Sequence, residues 1–239
     1  SHWRYFDDAV GTAIWHFRGY LPIDWSNPAF HTSQLPPLHM GEIEFPCLRR
    51  PVKKVLEDHC SSRICERAVS LVCCMSMQDA ASVLGLACQH RDEGVRERAY
   101  ENLIVYAVQE LFPLTDELEA AILDSIRFDE PNRAVVKAVV AAAVLKVESS
   151  LPQFLAMLDD ERESEEIRPL IYRFEERVKN GWNGGRVDEL AAWAIQEITG
   201  RDFGFVHPSV SRDQMDTIKG RIREALEDRL PAAKGEESE

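Results

Sequence analysis

The chain has 239 residues, 45% hydrophobic and 29% charged, long enough to bury a sizeable core. Its formal net charge of −13 repels phosphate backbones and anionic lipid, which weighs against nucleic acid or a membrane and leaves a basic protein or peptide as the favoured partner. No stretch reads as a bilayer span, since the best, Val135 to Val147, is short and holds Lys137 and Lys146.

The first 50 residues form an aromatic-rich N-terminal cap segment. Phe6, Val10, Ala13, Ile14 and Phe17 follow helical spacing, and a proline-punctuated loop runs from Leu21-Pro22 to Pro36-Pro37. The sequence opens Ser1-His2-Trp3 with no initiator Met and no signal peptide. Ser1-His2 reads as a scar of tag removal, which fits a fragment of a longer protein.

Residues 51–205 read as helix after helix. Val52, Val55 and Leu56 start the first stripe, and Ile64, Ala68, Leu71 and Val72 the next. Ala80, Val83, Leu84 and Ala87 follow, then Val95, Ala99, Leu103 and Tyr106. Thr115-Asp116 is a start signal for a helix carrying Leu118, Ile122 and Ile126. Ala134 to Val147 is apolar on almost every side, as a helix inside a stack must be. Leu151, Phe154, Leu155 and Leu158 come next, then Ile167, Leu170, Ile171 and Phe174. The glycine-rich turn around Trp182 breaks the pattern before Val187, Leu190, Ala191, Ala194 and Ile198. Residues 206–230 hold a C-terminal capping helix on Met215, Ile218, Ile222 and Leu226, and 231–239 read as a disordered acidic tail. No strand is expected.

One pattern recurs: an acidic or polar turn, an apolar residue or Asn beside Arg, then an amphipathic helix. Arg96, Arg133 and Arg168 mark it, with Asp92-Glu93-Gly94-Val95-Arg96 the clearest instance. Their near-even spacing predicts a stacked array of helix pairs. Asp92, Val95, Arg96 and Ala99 resemble the Asp…Val-Arg-x-x-Ala signature of HEAT repeats, in particular the bacterial group related to phycobilisome lyases. Asn132-Arg133-x-x-Val136 and Ile167-Arg168-x-x-Ile171 match more loosely, and Ile198 to Gly204 is similar to a segment that closes such arrays. The resemblance implies an all-α fold, an α-solenoid of antiparallel helix pairs wound into a right-handed superhelix. It implies that Asp92, Arg96, Arg133 and Arg168 are architectural, Asp92 accepting from helix-start amides and Arg96 reaching a neighbouring carboxylate. It also offers a second function, a lyase-like enzyme or enzyme partner acting on a tetrapyrrole adduct. DNA glycosylases of HEAT-like repeats would cast Trp182, Asp188 and Trp193 in base recognition, which the acidic charge opposes.

No residue set points to catalysis, a cofactor or a metal. Cys47, Cys60, Cys65, Cys73, Cys74 and Cys88 lack paired ligand spacing and read as reduced thiols of a cytoplasmic protein. There is no nucleophile motif and no phosphate-binding glycine loop. The leading expectation is a non-enzymatic interaction scaffold or sensing module, part of a larger signalling or defence protein. Partner-binding candidates are Arg98, Glu101, Asn102, Lys137, Arg173, Glu176 and Arg177 on second helices. The acidic run Asp159 to Glu166 reads first as a solvated inter-helix turn. The sharper alternative is a docking site for a basic partner, with Glu163, Glu165 and Glu166 next to Trp182.

Overall fold

In a computed structural model the chain is described at residues 47–58, 60–108, 112–126, 132–164, 185–204 and 210–226. The aromatic cap segment, the helix expected from Ile167, the Trp182 turn and the acidic tail lie outside the described residues. Within them the protein is all-helical: α1 (Arg49–Glu57), α2 (Ser62–Val69), α3 (Met77–Cys88), α4 (Glu93–Val108), α5 (Asp116–Ile126), α6 (Arg133–Val144), α7 (Leu151–Met157), α8 (Val187–Thr199) and α9 (Arg212–Leu226). Two 3-10 turns, Ser70–Cys74 and Glu148–Ser150, join them. No helix among the described residues is long and apolar enough to cross a membrane.

Side-chain caps set several starts. The Ser76 hydroxyl accepts the Asp79 amide ahead of α3 (3.2 Å), Thr115 accepts the Leu118 amide ahead of α5 (3.3 Å), and Asn132 accepts the Val135 amide ahead of α6 (3.0 Å). Each satisfies an amide that has no partner inside its helix. At the other end of α8, Gly200 takes the left-handed conformation (φ 63°) that closes a helix, and its amide returns to the Gln196 carbonyl (2.9 Å).

The apolar run Ala134 to Val147 is not one helix. It stops at Val144, because Lys146 turns left-handed (φ 55°). The Lys146 amide donates to Ala143 O (3.2 Å) and the Val147 amide to Ala142 O (2.9 Å), the paired bonds of a Schellman ending. Glycine normally holds that position, so composition hides the stop.

Packing follows a fixed order. Pairs form between α1 and α2, α3 and α4, and α5 and α6, and, across residues 165–184 that lie outside the described set, between α7 and α8. Alternate helices also pack: α1 on α3, α3 on α5, and α2 on α4, α4 on α6, α6 on α8. The 3-10 turn Glu148–Ser150 takes the next place against α5. One continuous apolar core runs between the two sets, from Val52 through Leu84, Leu103, Ile122 and Val139 to Ile195 and Ile222. The alanines of α6 keep its neighbours close, and the helix is buried from Ala134 to Ala143. The stripe Met215, Ile218, Ile222 and Leu226 seats α9 on α8.

Candidate functional site

The Asp92 turn shows what the recurring polar residues do. The Asp92 carboxylate accepts the Val95 amide at the start of α4 (3.3 Å) and the Ser62 hydroxyl from α2. The Ser62 bond, helped by the amides, holds its pKa below the ordinary carboxylate value. Arg96 donates to the main-chain carbonyls of His90 (2.8 Å) and Arg91 (3.0 Å), where a neighbouring carboxylate was expected. The turn thus ties α4 to α2 through the Ser62 hydroxyl and to the end of α3 through main-chain carbonyls. Arg133 opens α6 directly after its Asn132 cap, and Arg168 lies outside the described residues.

A first ionic network spans α4 and α6. Glu97 and Glu101 are one turn apart and share a face of α4. Between them sits the Lys137 ammonium from α6, paired to Glu97 and, at 2.6 Å, to Glu101. Arg98 completes the set with a 2.7 Å bond to Glu101, and Asn102 donates to the Arg98 carbonyl (2.8 Å). Lys137 is not a solvated face position: its side chain is 7% exposed, against 38% for Arg98 and 24% for Glu101. A single apolar helix face could not hold a lone ammonium, and two carboxylates at hydrogen-bond distance offset its lost hydration.

A second network closes the α7–α9 junction. The strand-like segment after α7 runs along the lead-in to α8: Glu163 and Arg186 form an isolated antiparallel bridge, the Ser164 amide meets Gly185 O (2.6 Å), and the Asp188 amide meets Asp160 O (2.9 Å). Asp188, fully buried, takes a two-pronged contact from the Arg186 guanidinium and a 2.8 Å contact from Lys219 of α9. The Asp188 bond raises the Arg186 pKa. Glu189, the next residue, accepts the Arg186 amide (3.4 Å), yet burial pushes its pKa up.

The described part of the acidic turn is already partnered from within. Asp159 pairs with Arg223, Asp160 with Arg162 (2.7 Å), and Glu161 lies 3.9 Å from Lys219. The Arg162 hydrogen bonds lower the Asp160 pKa. Glu165, Glu166, Trp182, Arg173, Glu176 and Arg177 fall outside the described residues, so of this candidate surface only Glu163 is placed. Asp188 and Trp193 are buried among helices, with Trp193 7% exposed.

The thiols sit apart from both networks. Cys47, Cys60, Cys65 and Cys88 are free. Burial pushes Cys65 up to about 11 and Cys88 up to about 12, which keeps both as weakly nucleophilic thiols at neutral pH. Among the described residues no three His, Cys, Asp or Glu side chains converge as a metal-holding group.

The sequence marks Arg98, Glu101 and Lys137 as face residues but not their linkage through Glu101, nor the second carboxylate on Lys137, Glu97. Arg186, Lys219 and Arg223 went unmarked. The available signal was a cation inside an apolar stripe, Lys219 among Met215, Ile218 and Ile222. Compared with protein-family models, with curated proteins and with solved structures, the chain finds no match in any of the three.

Proposed function

We propose that the protein is a non-enzymatic α-solenoid of the HEAT-like kind, working as an interaction scaffold for a protein or peptide. The observation that carries this reading is the packing order, in which pair-mates meet and α1, α2, α3, α4 and α6 each also meet the next helix but one. Antiparallel pairs stacked in that way make a quasi-one-dimensional array, whose long faces bind extended partners without a deep pocket. The segment Ile198 to Gly204 suits a closing role, since Phe203 is buried and its carbonyl accepts from Arg221 of α9 (3.4 Å). The scaffold reading places the docking face on the second helices, with the half-exposed Arg98 and Glu101 as its polar centre. The acidic turn with Glu163, Glu165 and Glu166 beside Trp182 serves as a steering site for a basic partner. The two ionic networks favour architecture over chemistry, because Lys137 and Asp188 are already held by opposite charges. A cytoplasmic setting follows from the unpaired cysteine spacing, and the module fits as the sensing part of a larger signalling or defence protein.

The test is capture of partners from source lysate on wild-type protein, followed by binding kinetics with two variants. Arg98→Glu should speed dissociation of a partner seated on the second helices. Glu163→Lys should slow association and weaken its salt dependence. Wild-type kinetics for both variants with a verified partner would remove both surfaces from consideration.

A further inference from the structure

The outward sides of α1, α3 and α5 carry a charge order that the scaffold reading does not use. The sequence of α1, Arg-Arg-Pro-Val-Lys-Lys-Val-Leu-Glu, holds four cations and one carboxylate. Val52, Val55 and Leu56 face the core, so Arg50 stands in solvent with Lys53 half-buried beside it, while the exposed Lys54 reaches Asp58 at the helix end (3.5 Å). The sequence of α5 holds four carboxylates and no base. Its Asp116, Glu117 and Asp124 are exposed and Glu119 is half-buried. Between the two lies α3, packed against both. Its outward positions, Gln78, Ser82, Leu86 and Gln89, are uncharged, and its Asp79 is taken by Arg49 (2.9 Å). A cationic helix, a neutral helix and an anionic helix therefore lie side by side, in a protein whose net charge is −13.

We propose that this face binds a second copy of the chain, with α1 of each copy on α5 of the other and α3 against α3 on the two-fold axis. Two-fold symmetry makes a surface of this kind complementary to itself, because each copy supplies both halves of the match. Leu86 lies at the neutral centre, where a dry contact costs no buried charge. Three helices of this length, spaced by about 8–10 Å, offer roughly 450 Å² per copy. A stable dimer uses about 800 Å² per partner, so the association is weak and reversible. The net charge opposes it at long range. At about 0.15 M salt the screening length is about 8 Å, so the facing helices outweigh the distant charges. Association should therefore peak at intermediate salt and fall at both low and high ionic strength.

Sedimentation equilibrium of the full chain over a concentration series tests this, with circular dichroism confirming that each variant folds. R50E/K53E/K54E makes both outer helices acidic, and E117K/E119K/D124K turns the acidic helix basic, leaving three lysines against Asp116. Each variant alone should dimerise at least about tenfold more weakly than wild type, the equivalent of about 1.4 kcal/mol. An equimolar mixture of the two should recover wild-type association, because both contacts are then complementary. Should either multiple variant misfold, the exposed single changes Lys54→Glu and Glu117→Lys take its place, each expected to weaken dimerisation by a smaller factor of the same sign, since neither reverses the charge of its helix. A wild-type chain that stays monomeric throughout overturns the proposal. So does dimerisation that ignores both reversals, or a mixture of folded variants that stays as weak as its components.

Discussion

The two ionic networks differ in what surrounds them. On α4 and α6, Lys137 is buried but its partners Glu97 and Glu101 keep about a quarter of their surface in water. At the α7–α9 junction, Asp188 has none, and its partners Arg186 and Lys219 are 14% and 8% exposed. The first network lies over close helix packing that alanines and valines already fix. The second joins two irregular segments, the acidic turn and the lead-in to α8, to the helix α9. Ionic contacts are specific in direction where apolar contacts are not, so they fix register where the apolar stripe is short. A buried ion pair adds little net stability relative to an apolar substitute, but removing one partner is costly.

Four substitutions sharpen or break that contrast. The largest effect is expected for Asp188→Ala, which strands two buried cations. It should cost about 3–5 kcal/mol in denaturant unfolding. Lys137→Met removes the charge, keeps the bulk, and leaves two carboxylates that water still reaches. Its expected cost is about 1–3 kcal/mol. If Lys137→Met cost more than Asp188→Ala, the contrast in burial would not govern the two sites.

Asp92→Ala removes a helix-start acceptor and the link to Ser62, for a loss of about 1 kcal/mol at neutral pH. Because the folded pKa of Asp92 lies below its unfolded value, its contribution is complete above the unfolded value of 3.8 and fades as pH falls through the folded one. The gap between wild type and variant should close over that acidic window. Glu189→Gln has the opposite sign and the smallest effect. Burial raises the Glu189 pKa above 4.5, so the ionised group weakens the fold at neutral pH. The substituted carboxamide keeps an acceptor for the Arg186 amide without the charge. The melting temperature should rise slightly at neutral pH, and the gain should vanish as pH falls through the raised pKa toward 4.5.

The helices were legible because their apolar stripes are regular, and Thr115 announced the start of α5, whereas the Asn132 cap of α6 emerged only in the structure. The end of α6 was not legible, because Lys146 occupies a left-handed position where glycine would have signalled a stop. Lys146→Gly offers a direct check and should stabilise the protein by about 0.5–1 kcal/mol, since glycine adopts that conformation without the steric cost. Of the candidate site, Lys137 stood out as a cation within a run of alanine and valine. Its partners sit a full repeat earlier, and periodicity alone does not say which carboxylates meet it. The Asp188–Lys219 contact was hidden for the same reason, as it joins positions from different helices whose approach depends on packing. The acidic turn read as solvated because its neutralising residues, Arg223 and Lys219, come far later in the chain.

In the proposed array helices contact mainly their neighbours, so damage at one end should stay local. Peptide-resolved amide hydrogen exchange of wild type and Asp188→Ala tests it. The predicted result is faster exchange in α7, α8 and α9, with protection in α1, α2 and α3 unchanged. Loss of protection by the same factor from α1 to α9 would contradict it, and would show a single cooperative unit in place of an array.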